Sequence, residues 1–420
     1  MSNKKKKGVL REWGDALLFA VVAATFIRWI AFEAFTIPTS SMEKSLYIGD
    51  FLFVSKLHYG PRTPKTPLQV PLTHQKIWGT DINSFSDAIQ LPQFRLPGFS
   101  DVNNNDIVVF NYPAEHNDYP VDLKTNYIKR CIGIAGDDIQ IKNQEVYIND
   151  QKVAYGEYVE LQTDYTLETK QLLSLDVLAE NNIYYNVDNI AIFPSEQAAA
   201  NLNDYYRNYP GMYPLISKSS ETNTFIYKNV NLTNKQVATL KNNPLVVSIK
   251  PIIENSDHRI FGGAVNNWSA DNFGPLHIPK EGEVVKITAD NWPYYKDIIQ
   301  KYEENDNPQF KNGQLLIGGQ ATDSYTIQQD YYFMMGDNRH NSLDSRYWGF
   351  VPSDHIIGKA VMTWFSRDAN PQTGAVRWDR ILHIIDSDFQ LPTAVKVIIL
   401  ALFFGTVFFF SNNDKKKKKK

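Results

Sequence analysis

Residues 127–137 read Tyr-Ile-Lys-Arg-Cys-Ile-Gly-Ile-Ala-Gly-Asp. As far as Ile134 the side chains alternate as they do along a strand, and Gly136-Asp137 closes the run with a turn. The flanking stretches extend the same pattern. Asp106–Phe110 (DIVVF) is a short buried strand ahead of a Tyr-Pro turn, Ile139–Ile148 (IQIKNQEVYI) is a hairpin around Lys142-Asn143, and Tyr325–Met335 is strand-like. The 23 tyrosines and 24 phenylalanines among 420 residues lean the same way. Residues 61–72 (PRTPKTPLQVPL) carry four prolines and form an extended surface loop. Between about 150 and 325 the pattern is mixed. Helices are expected at 157–180 and 196–206, strand patterning with an Asn-rich helix over 223–252, and helical spacing over 291–304. The fold class is therefore mostly β, an antiparallel core with a mixed α/β insertion at 150–325. At 420 residues the chain is too long for a single compact core.

Two apolar runs bracket this core. Ala16–Phe35 (ALLFAVVAATFIRWIAFEAF) is twenty residues long, enough to cross hydrocarbon as a helix. Arg28 lies two-thirds of the way along and reaches the far interface, where Glu33 also falls. The second run, Pro392–Phe410, carries only Lys396 as a charge. Lysines precede the first run and follow the second, so the positive-inside rule puts both tails in the cytoplasm and residues 36–391 on the outer side. The first run also resembles a cleaved signal peptide, but no A-x-A site follows and the apolar character resumes after Arg28. The expected division is a basic tail (1–14), a membrane helix (15–35), a β core (36–149 and 326–390), an inserted domain (150–325), a second membrane helix (391–410) and a lysine tail (411–420).

Net charge is −3, yet residues 1–11 hold five basic and no acidic residues and residues 415–420 are six lysines. The body between is distinctly acidic, which speaks against nucleic-acid binding. A single cysteine, Cys131, excludes an internal disulfide and a multi-cysteine metal site. The eight histidines form no H-E-x-x-H and no i, i+4 pair, which argues against a zinc hydrolase of that helical type. No metal or cofactor is expected.

Four segments carry chemistry. They are Phe35-Thr-Ile-Pro-Thr-Ser-Ser-Met42, just outside the first apolar run; Gly49-Asp-Phe-Leu-Phe-Val-Ser-Lys56, a turn and a strand; Tyr127-Ile-Lys-Arg130 with Gly133 and Gly136-Asp137; and Gly336-Asp-Asn-Arg-His-Asn-Ser-Leu-Asp-Ser-Arg-Tyr-Trp-Gly-Phe-Val-Pro352. Singly, each has a plain reading. Hydroxyl residues after a proline are turn residues, an exposed lysine is a solvated charge, and Asp344 with Arg346 is a structural ion pair.

Together, in this order and after one apolar span, the segments resemble the type I signal peptidases, membrane-bound Ser–Lys proteases that remove signal peptides from exported preproteins. The motifs cover about a fifth of the chain. The resemblance implies a signal-peptidase-type catalytic core anchored by the two apolar runs, with Ser41 as nucleophile and Lys129 as general base. It implies an oxyanion hole of the Thr39 hydroxyl and the Ser41 N–H, Ser342 orienting the lysine, Asp344 with Arg346 bracing the loop, and Asp337 with Arg130 as a second brace. Phe35, Ile37, Pro38, Met42, Leu46, Tyr127 and Ile128 would line two shallow pockets for small residues. Implied partners are signal peptides, the lipid bilayer and the export machinery; the implied location is the bacterial cytoplasmic membrane, catalytic side outward.

The residue types suit this chemistry. A serine hydroxyl needs a base to take its proton, and a lysine serves only when neutral, so its pKa must fall several units from about 10.4 by desolvation. Ile128, Cys131 and Ile132 flank Lys129 with apolar surface. A peptide paired to a strand edge sends alternate side chains into pockets, which matches an A-x-A cut site. Three positions depart from the family pattern: Glu43-Lys44-Ser45 after Met42, Ala135 before Gly136-Asp137, and His340 where an acidic residue is common. His340 invites a Ser–His reading; the intact Tyr-Ile-Lys-Arg run favours Lys129. Trp348, Phe350 and Trp364 are candidate lipid contacts. Two other readings stay open: a Ser–Lys protease with one dedicated substrate, and a non-catalytic, membrane-tethered peptide-binding β domain.

Overall fold

The computed structural model describes residues 9–115, 119–173, 192–193, 216–219, 221–368, 374–387, 389–399, 401–402 and 405. The chain enters through one long helix, Val9–Ile30, with Glu12 in its first turn and Arg28 in its last, each complementing the helix dipole. Among the described residues this is the one helix long and apolar enough to cross a membrane. It ends five residues short of the expected boundary at 35. Phe32–Thr36 is instead a strand, paired antiparallel with Asp50–Ser55 in a register that sets Phe32 opposite Ser55 and Thr36 opposite Phe51. Glu33 explains the switch: Arg28 and Lys56 both ion-pair with its carboxylate, at 2.7 and 2.8 Å, which ties the helix end to the sheet.

The sheet that follows is antiparallel, with eight strands in the order Phe32–Thr36, Asp50–Ser55, Ile356–Ser366, Ile107–Asn111, Asn126–Gly133, Tyr331–Met335 and Val351–Pro352; His383–Ile384 adds to Ile356–Ser366. Ile107–Asn111 is buried on both faces, as its unbroken apolar run requires. Ile107 and Val109 pack with Ile37, Met42, Leu46, Leu52 and Val54. Val108 and Phe110 pack with Cys131, Met334, Trp348 and Val351. The lysine strand Asn126–Gly133 lies beside this strand, with Lys129 opposite Val108 and Arg130 opposite Ile107.

The hairpin forms as expected from Asp138–Lys142 and Glu145–Ile148, with Asn143 and Gln144 at positive φ in its turn. Phe273–His277 pairs with Asp138–Lys142, so the middle of the chain is stitched to the core rather than hung from it. The helix expected at 157–180 is replaced over its described part by a strand, Gln162–Thr169, at the heart of a five-stranded sheet. Its Tyr165, Leu167 and Thr169 are buried on alternate positions, and this period of two outweighs the helix-forming composition around it. Phe225–Thr233, the capped helix Asn234–Lys241 and Val246–Pro251 follow the mixed pattern expected over 223–252. Trp292–Asp297 is helical, continuing as one wider turn to Tyr302. The helix expected at 196–206 lies outside the described residues; of the second apolar run 392–399, 401–402 and 405 are described, and 393–399 are helical.

Candidate active site

The serine sits where the first sheet strand gives way to a turn. Ile37 N–H donates to Asp50 O at 2.9 Å and Gly49 N–H to Ile37 O at 3.0 Å, pinning both ends of the excursion. Within it Ser40–Met42 makes one 3-10 turn, with an extended Thr39 before it (φ −131°, ψ 157°) whose side chain makes no capping bond. Met42 and Leu46 are drawn into the core, and Ser41 is held just beneath the surface, 8% exposed. Thr39 stays exposed.

The lysine comes from the strand Asn126–Gly133 of the same sheet. Lys129 is 4% exposed. Its Nζ lies 2.6 Å from Ser41 Oγ and 3.1 Å from the Ile128 carbonyl oxygen, with the Tyr127 ring 5.5 Å away. Among the described residues no carboxylate lies within ion-pair distance of it. Burial pulls its pKa down from the usual 10.5 to about 8, against the pull of the more distant Asp344 and Asp337. An amine so placed is neutral in a useful fraction of molecules near neutral pH.

The loop Gly336–Leu343 closes the site, anchored by two buried ion pairs. Arg130 grips Asp337 with two bonds of 2.8 and 2.7 Å, and also reaches Asp386 at 2.8 Å. Arg346 grips Asp344 at 2.9 and 2.8 Å, while Asp344 accepts the Gly336 N–H at 3.0 Å. Both aspartates are held below the usual carboxylate range: burial alone would raise them, and the arginines overcome it. Gly336 is needed for space. A Cβ there would collide with Ser342 Oγ and with the Ser41 carbonyl oxygen. Ser342 is buried against this point beside Asp344, and its hydroxyl makes no hydrogen bond to Lys129, so the orienting bond that the resemblance implies is not made here.

The residues expected to line pockets divide. Ile37, Met42 and Leu46 are buried floor, Phe35, Tyr127 and Ile128 are half-buried, and Pro38 is exposed. Tyr127 stacks on Tyr112 at 4.4 Å. Two backbone edges are open here. Phe32–Thr36 ends the sheet order, and the pairing of Tyr331–Met335 along the lysine strand covers Arg130 to Gly133 and leaves Asn126–Lys129 free on that side.

Several contacts escape any local sequence signal. Asn338 donates its N–H to the Ser41 carbonyl at 3.1 Å and its side-chain amide to the Ser40 carbonyl at 3.3 Å. Arg380 holds Asp50 at 2.5 Å and the Ser45 carbonyl at 3.0 Å, and Ser45 Oγ donates to Asp337. A cluster of Asp, Asn and Arg in the loop was the available hint for Asn338; Asp386 and Arg380 offered none. Trp348 and Phe350 are core residues, not lipid contacts. Trp364 packs on Phe53 and Phe51 across adjacent strands. Cys131 is fully buried, its thiol pushed well up by burial. No group of three or more metal-ligating side chains occurs among the described residues.

A family model described as Signal peptidase, peptidase S26, matches residues 10–197 and 279–365, more than half of the chain. The signal peptidase I of Buchnera aphidicola subsp. Acyrthosiphon pisum is 26% identical over 84% of this chain and 75% of its own length. That of Rickettsia typhi is 24% identical over 96% of both. That of Rickettsia massiliae is 33% identical over 36% of this chain and 46% of its own.

Proposed function

The chain belongs to the S26 signal peptidase family and is a serine peptidase that removes signal peptides from preproteins; on that premise we propose that it does so with a Ser41–Lys129 dyad. Neutral Lys129 takes the Ser41 hydroxyl proton as Oγ attacks the scissile carbonyl. The oxyanion that forms is held by the Ser41 N–H and the Thr39 hydroxyl; a lost donor of this kind costs about 2.7–4 kcal/mol of barrier. The ammonium then gives its proton to the departing amine, which becomes the new N-terminus of the mature protein and leaves an acyl-enzyme. Lys129 next takes a proton from water, which attacks the ester, and returns it to Ser41 Oγ as the acyl–oxygen bond breaks; the signal peptide leaves with a new carboxyl group that ionises in solvent. Arg130 with Asp337 and Arg346 with Asp344 brace the loop over the dyad, and Ser342 sits beside it.

One observation carries the reading. A lysine amine taken out of water, with no carboxylate to hold its proton, lies 2.6 Å from a serine hydroxyl. The two open backbone edges beside it suit an extended peptide, and the half-buried Phe35, Tyr127 and Ile128 over a floor of Ile37, Met42 and Leu46, with Pro38 at the rim, suit small side chains at alternate positions. The site lies near the bilayer in this reading. The helix Val9–Ile30 spans it, Trp29 Nε1–H donates to Arg62 O at 2.7 Å, and the adjoining loop displays Trp78 and Phe99, 71% and 81% exposed, toward lipid. The run 392–410 is the second span, both tails are cytoplasmic, the catalytic face is outward, and export machinery delivers the substrate.

The test is cleavage of a preprotein with an A-x-A site by detergent-solubilised full-length protein, with the cut mapped. Wild type is expected to cut after the second small residue, and Ser41→Ala and Lys129→Ala to lose cleavage while folding as wild type. Full activity in either variant refutes the dyad.

A further inference from the structure

None of the motif residues lies between 150 and 325, yet this stretch takes hold of the loop over the dyad. Gln162 N–H donates to Asp337 O at 3.0 Å and accepts the Arg339 N–H on its carbonyl at 2.8 Å. This makes a short parallel bridge between Gln162 and Asn338. One turn further on, His340 is clasped through both ring nitrogens. Asp164 N–H donates to Nδ1 at 2.8 Å, and Nε2 lies 3.1 Å from Asp271 Oδ1 and 3.3 Å from Oδ2. The imidazole and the carboxylate are almost fully buried, at 7% and 2% exposure. A nitrogen that accepts a backbone N–H carries no proton itself, so the proton resides on Nε2 and points at Asp271. Asp271 is fixed in turn by the Glu254 N–H at 2.8 Å. The other side of the same loop is the Asn338 contact with the Ser40 and Ser41 carbonyls.

We propose that His340 and Asn338 are positioning residues for the nucleophile: the inserted region fixes the loop through His340, and the loop fixes the backbone of Ser40 and Ser41 through Asn338. His340 moves no proton in this scheme. Its bonds are spent on Asp164 and Asp271, and it acts only by keeping Ser41 Oγ within reach of Lys129. A reacting group displaced by about 1 Å loses on the order of 100-fold in rate. The loop itself carries neither of the open strand edges that receive a peptide, so the loss falls on kcat and leaves KM alone. The proposal rests on the Ser41–Lys129 reading and gives the insertion a role in the chemistry.

The experiment is steady-state cleavage of an A-x-A preprotein by full-length protein in detergent, with Tm measured on every variant. For His340→Ala the expected result is a kcat lower by about 10- to 100-fold and a KM within about twofold of wild type. His340→Gln, whose amide N–H reaches toward Asp271, and His340→Asn, which keeps an acceptor for Asp164, each recover part of the loss. Asn338→Ala lowers kcat about tenfold with His340 in place. A His340→Ala variant that melts as wild type and keeps wild-type kcat overturns the proposal; so does a loss confined to KM, or one that neither Gln nor Asn relieves. Should His340→Ala fail to fold, Asn338→Ala decides, and wild-type kcat there overturns it. Failure of the underlying reading looks different: Ser41→Ala would then cleave as well as wild type.

Discussion

Lys56 and Lys129 are both lysines taken largely out of water, on or beside strands of one sheet, and they end as different devices. Lys56 meets a carboxylate: its Nζ is 2.8 Å from Glu33, which Arg28 also holds. Lys129 meets a serine hydroxyl and a carbonyl instead. Burial lowers the pKa of both, but Glu33 opposes it directly at Lys56, whereas only more distant carboxylates oppose it at Lys129. A buried ammonium with a counter-ion is a strut. A buried ammonium without one gives up its proton cheaply, which a general base requires.

The harshest way to break this comparison is to remove each amine. Lys129→Ala, like Ser41→Ala, is expected to lower kcat/KM by about 10⁴-fold or more, since members of a nucleophile–base unit fail together. Lys56→Ala is expected to stay within about tenfold of wild type. Equal losses at the two lysines in a preprotein cleavage assay would mean that pairing does not distinguish them. The pH profile sharpens the point: kcat/KM is expected to climb about tenfold per unit toward pH 8 and to level off above it, following a base whose pKa is about 8.

Next in size are the braces. Arg130 and Asp337 are both fully buried at their side chains. Removing one partner leaves an uncompensated charge in the core, so Asp337→Ala is expected to destabilise by about 3–5 kcal/mol in denaturant unfolding. Asp386 remains to hold part of Arg130, which places Asp337→Ala toward the lower end. Because the folded pKa of Asp337 is depressed, the pair's contribution is present above the unfolded carboxylate range and fades as pH falls through the folded value.

How much of this was legible in the sequence follows range of interaction. The strand at 127–134, the hairpin at 139–148 and the apolar N-terminal helix announce themselves by local periodicity. The ordered motifs marked Ser41, Lys129 and the loop, although only the fold brings residues 88 positions apart to bonding distance. Sequence could not say which of two similarly placed lysines would find a carboxylate. It also hid Asp386, 256 residues from Arg130, and Arg380, 330 residues from Asp50, because a lone charged residue in a loop carries no mark of its partner. Gln162–Thr169 was misread for a related reason. Its charged, helix-forming neighbours dominate a local window, whereas its state is set by two flanking strands far along the chain.

The smallest expected effects are on stability, and they test the comparison most finely because the two lysines should differ in size of effect. An unfolded lysine keeps its proton to about pH 10.5, and folded Lys129 releases it near 8. Below pH 8 the fold therefore carries a charging penalty of about 3 kcal/mol, which fades as pH rises between those values. Lys129→Met removes the charge and keeps the bulk, so it is expected to stabilise the protein at pH 7, by up to that amount, with a gain that shrinks toward pH 10.5. At Lys56 the same change takes one of two cations from Glu33. Burial of Lys56 outweighs the ion-pair gain, but Glu33 opposes it directly, so Lys56→Met is expected to stay within about 1 kcal/mol of wild type. Urea unfolding of both variants at pH 7 and pH 9.5 reads the contrast. If Lys56→Met stabilised as much as Lys129→Met, with the same pH dependence, the carboxylate beside Lys56 would not be holding its proton, and the two lysines would be one kind of residue after all.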